Sequence, residues 1–272
     1  MTKASICIPT LCDTEERFAK LAECVASALA QTYSDLEVVV LDNASAIDVE
    51  GRLRALFPDV RLQVYRNART LPMPCNFNEA IARSTGEVVK PLCDDDLLHP
   101  DLVRGCLDAV MRLGFLRIRD VRFRDRSEVR WSGRYVPKLA GSLSWIRKYR
   151  RVDAISPTCT IFHRQAWESL GRYATALDHA WDYVFAMEAQ LRFGFHLSLV
   201  PGCAFRVWPG SCTARNRDPF RNFKELHVLY RRNRTPSLRL AKASYVAEAL
   251  ARALAHPRRI PEVLRAARNY LR

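Results

Sequence analysis

Short apolar runs alternate with amphipathic segments through the first hundred residues. Ser5-Ile6-Cys7-Ile8 is an apolar run stopped by Pro9, and Leu36-Glu37-Val38-Val39-Val40-Leu41 is a β-branched run stopped by Asp42-Asn43. Both read as buried strands. Between them Phe18, Leu21, Val25, Ala28 and Leu29 recur at helical spacing over 15–31, which completes a β-α-β unit. The alternation continues with a helix over 47–57, a strand over 60–65, a helix over 75–84 and a strand over 87–92 that runs into Cys93-Asp94-Asp95-Asp96. Four strands with helical crossovers predict an α/β fold, with a mostly parallel central sheet and helices on both faces.

In such sheets ligands bind outside the carboxyl ends of the strands. Strand one ends at Pro9-Thr10, strand two at Asp42-Asn43 and strand four at three consecutive aspartates, so acidic residues converge on one edge. Further on, an arginine-rich stretch precedes a strand-like segment over 158–162. A helix over 181–193 follows, with Trp181, Val184, Phe185, Glu188 and Leu191 on one face. From 219 onward the pattern is helical throughout. The composition shift near 211–218 marks the one boundary, giving a domain over 1–212, itself divided into halves at 1–111 and 112–212, and a helical extension over 213–272.

Charge sharpens this picture. Of 272 residues, 43 are Lys or Arg and 29 are Asp or Glu, a formal +14 that points to anionic partners. The charge is uneven: 112–151 carries +10 and 213–272 carries +11, leaving the rest at −7. An acidic body repels phosphate unless a cation intervenes, so the distribution favours a metal-bridged site over a nucleic-acid binder. The nine cysteines are odd in number and lack C-x-x-C spacing, and no G-x-G-x-x-G or P-loop string occurs. No run nears the ~18–20 apolar residues of a membrane span, and Met1-Thr2-Lys3 leads straight into a strand. The expectation is a cytoplasmic protein with reduced thiols.

Three adjacent carboxylates repel each other, and Mg²⁺ or Mn²⁺ with oxygen ligands is a natural compensator. Taken alone, Asp94-Asp95-Asp96 fits a solvated turn capping the helix after His99-Pro100 equally well. The context extends further. An apolar strand ending in Pro9-Thr10, then Ser27-Ala28-Leu29-Ala30-Gln31-Thr32-Tyr33, Glu37 to Ser45, Asn78 to Glu87, and Asp94-Asp95-Asp96-Leu97-Leu98-His99-Pro100 closely resembles the family 2 glycosyltransferases of the GT-A fold over about residues 4–212.

The resemblance implies a nucleotide-diphospho-sugar donor of the UDP or dTDP type, a divalent cation, and transfer to an acceptor hydroxyl with inversion at the anomeric carbon. It implies nucleotide-sugar contacts at Pro9, Thr10, Asp42 (to the base), Asn78, Asp94 (to the ribose) and Arg206, and metal contacts at Asp95 with Asp96 as helper. The catalytic base maps to Asp182, with Asp178 and His179 as competitors; chemically it must reach the acceptor hydroxyl and take its proton. Three departures from the family pattern stand out. Cys93 replaces the first Asp of the D-x-D element, Phe77 stands where an Arg often precedes Asn78, and Trp208 takes the place of a His that can ligate the metal. Diphosphate and water then complete the metal shell, or the metal binds weakly.

The expected role is in cell-surface polysaccharide, glycolipid or glycosylated natural-product synthesis. A sugar-phosphate nucleotidyltransferase is the alternative enzyme, but the Pro9-Thr10-Leu11-Cys12-Asp13 segment lacks the Gly-rich basic loop it needs. A nucleic-acid-binding module lacks any recognisable motif. In the tail, Ile260, Val263, Leu264, Ala267 and Leu271 share a helical face flanked by Arg258, Arg265, Arg268 and Arg272. That face packs on the domain or docks peripherally on the anionic inner surface of the cell membrane, near a lipid-linked acceptor.

Overall fold

The computed structural model describes residues 2–140, 156–215 and 261. Strand β1 (Ala4–Thr10) leads into α1 (Glu15–Leu29), β2 (Leu36–Asp42), α2 (Val49–Leu56), β3 (Leu62–Arg66), α3 (Met73–Arg83) and β4 (Val88–Pro91). These four strands are parallel in the order β3-β2-β1-β4, as their buried apolar runs require. Both β1 and β2 are buried at all seven positions. The strands end where expected, β1 at Thr10 and β2 at Asp42, although Pro9 lies inside β1 instead of stopping it.

Pro9 fits a central strand because of where pairing stops. Asn43 N–H donates to the Thr10 carbonyl on the β2 side, and Leu92 N–H donates to the Cys7 carbonyl on the β4 side. By alternation, the Pro9 nitrogen faces β4, whose pairing with β1 ends at Cys7 opposite Pro91. The missing N–H therefore costs no ladder bond. Beyond that point β1 and β4 part, and chain order reverses across the gap.

The short β5 (Leu97–Leu98) and α4 (Leu102–Leu113) follow, then β6 (Phe115–Phe123) and β7 (Leu139–Ala140). Next come β8 (Thr160–His163), α5 (Arg164–Ser169), α6 (Trp181–Phe193), β9 (Leu197–Arg206) and α7 (Cys212–Arg215). The first four strands continue through β8, β6, β9 and β5, and β7 pairs on β9, so the described residues form one nine-stranded mixed sheet. Strand β8 runs antiparallel to both β4 and β6. Strand β6 was not marked by the sequence pattern, because arginines interrupt it. Arg117 is nonetheless buried there, and loss of hydration pushes its guanidinium down to about 10.

Helices cover both faces. Ile6, Ile8, Val38 and Val40 pack toward α1, α2 and α4, while Cys7, Leu41 and Val89 pack toward α3, α5 and α6. Helix α1 is started by the Thr14 side chain, which accepts from Arg17 N–H, with Glu15 and Glu16 favouring the positive end of the dipole. Helix α6 matches the expected span but not the expected face. Tyr183, Ala186, Met187, Ala189 and Gln190 are buried along with Trp181, Val184 and Phe185, while Leu191 is exposed. Gly194, at φ 93°, closes it in a conformation that side-chain-bearing residues rarely adopt.

No helix among the described residues is long and apolar enough to cross a membrane. The basic helical extension expected from 213 onward lies outside the described residues except for 213–215 and 261, and the docking face over 260–271 falls there too.

Candidate functional site at the carboxyl edge of the sheet

The parting of β1 and β4 opens a crevice at the point where strand order reverses, the usual ligand position in an open α/β sheet. Thr10 and Asp94 face each other across it, with the Thr10 hydroxyl donating to Asp94 Oδ2 at 2.6 Å. Pro9 and Thr10 thus stand at the expected edge.

The three aspartates have three different surroundings. Asp96 points inward and is fully buried; its Oδ1 accepts from Arg206 N–H at 2.8 Å and its Oδ2 from the Thr158 hydroxyl at 2.6 Å. It fastens the loop to β9 and to the turn before β8, so the expectation that it helps hold a metal does not fit its position. Asp94 and Asp95 are half-buried, Asp94 meeting Thr10 at the end of β1. Asp95 Oδ2 accepts from the Trp208 indole N–H at 2.6 Å.

Loss of hydration raises all three carboxyls, and the negative charge of Asp95 adds to the effect at Asp94 and Asp96. Asp94 is pushed up to about 6, even though the Thr10 hydroxyl and the Arg17 charge oppose the rise. Burial likewise raises Asp95, against the Trp208 bond and the charges of Arg17 and Arg206. Below them Lys90 is buried and donates to the carbonyls of Pro91 and Thr158 at 2.6 and 2.7 Å, not to a carboxylate.

Arg206 was expected at a phosphate, but its groups are engaged within the protein. It is buried, bonds Glu23, donates from Nε to the Asp95 carbonyl at 2.7 Å, and lies 4.4 Å from the centre of the Phe123 ring. It positions the aspartate loop. Asn78, also expected at the donor, instead joins α3 to the segment after α5. Its Nδ2 donates to the Tyr173 carbonyl, and its Oδ1 accepts from Trp167 Nε1 and Tyr173 N–H. Asp42 lies at the expected edge as a buried acceptor, taking Ser45 N–H at 2.9 Å on one oxygen and Arg66 on the other. An amide cluster of Asn43, Asn67 and Asn76 fixes the neighbouring ends of β2, β3 and α3.

Asp182 sits in the first turn of α6, half-buried, with Tyr183 N–H donating to its Oδ1 at 2.7 Å. Asp178 and His179 lie on the connection just before it. Trp181 packs on Phe77 and Tyr173 at ring distances of 5.0 and 4.8 Å, which anchors the helix start against α3. Burial raises the Tyr173 hydroxyl well above its ordinary value, and the charge of Asp182 adds to the rise.

The sequence did not reveal the cations behind Trp208. Lys20 Nζ is 4.1 Å from the centre of the indole and the Arg17 guanidinium 5.7 Å, while Arg17 also donates to the carbonyls of Leu11 and Gly210. Their positions on α1, at 17 and 20, share a helical face, but nothing in the sequence pairs that face with residue 208. Among the described residues no group of three or more His, Cys, Asp or Glu side chains is arranged to hold a metal. Asp94 and Asp95 still suit a divalent cation, because burial disfavours two adjacent bare carboxylates even with Arg17 nearby, and Mg²⁺ commonly takes only one or two carboxylates besides substrate phosphate.

The sequence profile described as glycosyl transferase family 2 matches residues 5–171. Chondroitin synthase of Escherichia coli is 36% identical over 91 residues, 32% of this chain and 13% of that synthase. The chain thus aligns with only a small part of that curated relative. Among solved structures, S. aureus TarS 1–349 superposes with a TM-score of 0.68 at 16% identity, covering 93% of this chain and 73% of that one. Its complex with UDP-GlcNAc gives 0.66 at 17% identity over the same shares. The mannosyltransferase PcManGT of Pyrobaculum calidifontis, in complex with GDP-Man and Mn²⁺, gives 0.62 at 19%, covering 94% of this chain and 76% of that one.

Proposed function

The chain belongs to glycosyl transferase family 2, and on that premise we propose that it moves a sugar from a nucleotide-diphospho-sugar to an acceptor hydroxyl with inversion at the anomeric carbon. The observation that supports this reading is the pair Asp94 and Asp95 at the β1–β4 crevice, two adjacent carboxylates raised by burial even against the charge of Arg17. A diphosphate brings more negative charge to this place, so a bridging Mg²⁺ or Mn²⁺ is what reconciles the two. Asp94 and Asp95 would hold it, and when bound it would neutralise charge on the departing diphosphate.

The chain's own residues do the rest. Thr10 orients Asp94, Trp208 and Arg206 fix Asp95, and Asp42, at the end of β2, would contact the base. Asp182 accepts the proton of the acceptor hydroxyl as its oxygen bonds the anomeric carbon and the bond from that carbon to the diphosphate oxygen breaks. The nucleoside diphosphate leaves. Solved neighbours hold UDP-GlcNAc or GDP-Man, so uridine, thymidine and guanosine donors all belong in the screen, with UDP and dTDP types favoured.

Calorimetric titration of UDP with and without Mn²⁺ tests the reading. Parent protein should bind UDP at least about tenfold more tightly with Mn²⁺, within the range of ordinary coupling energies, and Asp95→Ala should lose that gain. Equal affinity in variant and parent would sink the assignment.

A further inference from the structure

We infer that Trp208 makes the cation site of this chain conditional on nucleotide, so that a divalent ion is held firmly only after a diphosphate has entered the crevice. The inference rests on the reading above and adds an order of loading to it.

Indole nitrogen is a donor only; its lone pair belongs to the ring and cannot bind a metal. At 2.6 Å from Asp95 Oδ2, the Trp208 N–H occupies one in-plane position of the carboxylate that a cation would use. A cation meeting Asp95 must use its other oxygen or displace the indole. Displacement is opposed from behind, since Lys20 Nζ at 4.1 Å and Arg17 at 5.7 Å from the ring centre hold the indole in place by cation–π attraction. Both also add positive charge beside the site.

The neighbouring carboxylates offer little relief. Asp96 has each oxygen bonded inside the protein, to Arg206 N–H and to Thr158, and Asp94 already accepts from Thr10. Mg²⁺ and Mn²⁺ favour six oxygen ligands. Two partly engaged carboxylates hold such an ion weakly, and the further anionic oxygens must come from the nucleotide. Because linkage is reciprocal, the factor by which UDP tightens Mn²⁺ equals the factor by which Mn²⁺ tightens UDP.

Electron paramagnetic resonance of free Mn²⁺, titrated against full-length protein with and without UDP, tests this directly. Parent protein should take up Mn²⁺ at least about tenfold more weakly without UDP than with it. Trp208→His supplies a ring nitrogen able to ligate, and should tighten nucleotide-free Mn²⁺ binding at least about tenfold. Trp208→Phe keeps the ring beneath Lys20 and removes only the N–H; it should tighten nucleotide-free binding a few-fold and guards against misfolding of the His variant. Nucleotide-free affinity unchanged in folded Trp208→Phe would overturn the inference and leave the glycosyltransferase reading standing, whereas parent protein binding Mn²⁺ equally well with and without UDP would, by the same linkage, overturn the metal-bridged reading as well. Failure of Mn²⁺ to bind even with UDP would overturn both.

Discussion

Thr10 and Asp94 are 84 residues apart in sequence and joined by a 2.6 Å hydrogen bond that spans the crevice between the ends of β1 and β4. The bond fixes the rotamer of a carboxylate that burial has already raised to about 6. Replacing Thr10 by Val keeps the shape and deletes the donor. UDP affinity in the presence of Mn²⁺ should fall about tenfold, the equivalent of one ~1–1.5 kcal/mol hydrogen bond. Calorimetry on parent and variant gives the comparison, and unchanged affinity would mean the bond has no part in binding.

Arg206 positions the aspartate loop from a buried site, and lysine cannot reproduce its planar fork. Arg206→Lys should lose about 2 kcal/mol of stability, as expected when hydrogen bonds to a buried charged group are lost. Urea denaturation measures it. A variant of parental stability with weakened UDP binding would instead mark Arg206 as a phosphate contact.

At the opposite edge of the sheet, Glu37 accepts from Lys3 Nζ, Ser5 Oγ and Thr85 N–H. Burial alone would raise its carboxyl, but these bonds outweigh it and hold the group down at about 2. A carboxyl depressed on folding stabilises the protein above its unfolded pKa of ~4.3 and loses that contribution as pH falls through the folded value. Parent stability should therefore drop between about pH 5 and 2, whereas Glu37→Gln should be less stable at pH 7 by about 1–3 kcal/mol and flatter over that interval. Thermal melts across the pH series distinguish the two profiles; parallel curves would refute the assignment.

Asp182→Asn keeps the side-chain shape and removes the ability to take a proton. Turnover should fall by at least about 10²-fold, with UDP affinity within about twofold of the parent, since the loss belongs to the chemical step. Retained turnover in this variant, with loss in Asp178→Asn or His179→Ala, would move the base to a neighbour.

The buried runs of β1 and β2 announced themselves because every position is apolar or nearly so, and strand order then placed Thr10, Asp42 and the aspartates on one edge. Strand β6 did not, because alternating arginines resemble a solvated segment and nothing local indicates that Arg117 is buried. The aspartate triplet was visible as a string, but adjacency does not say that Asp96 turns inward while Asp94 and Asp95 stay half-buried. Glu23 and Arg206 meet across 183 residues, a pairing that only the fold supplies. Asn78 has the right residue type at the right spacing, yet its amide is engaged with Trp167 of α5 and with Tyr173 just after it, and the sequence carried no signal of α5.

Strand β8 separates two blocks of strands: β3, β2, β1 and β4 on one side, β6, β9 and their short partners on the other. It is made of residues 160–163, far along the chain, and the turn just before it brings Thr158 to both Asp96 and Lys90. The four-strand parallel block can assemble from neighbouring segments, whereas insertion of β8 closes a long excursion from β4, a slow kind of step. Until it closes, β4 is an open edge prone to pairing with other chains, and Asp96 and Lys90 lack the Thr158 groups that hold them. The aspartate edge thus depends on a segment 62 residues further along the chain, and a chain ending before residue 158 lacks the hydroxyl that fastens Asp96.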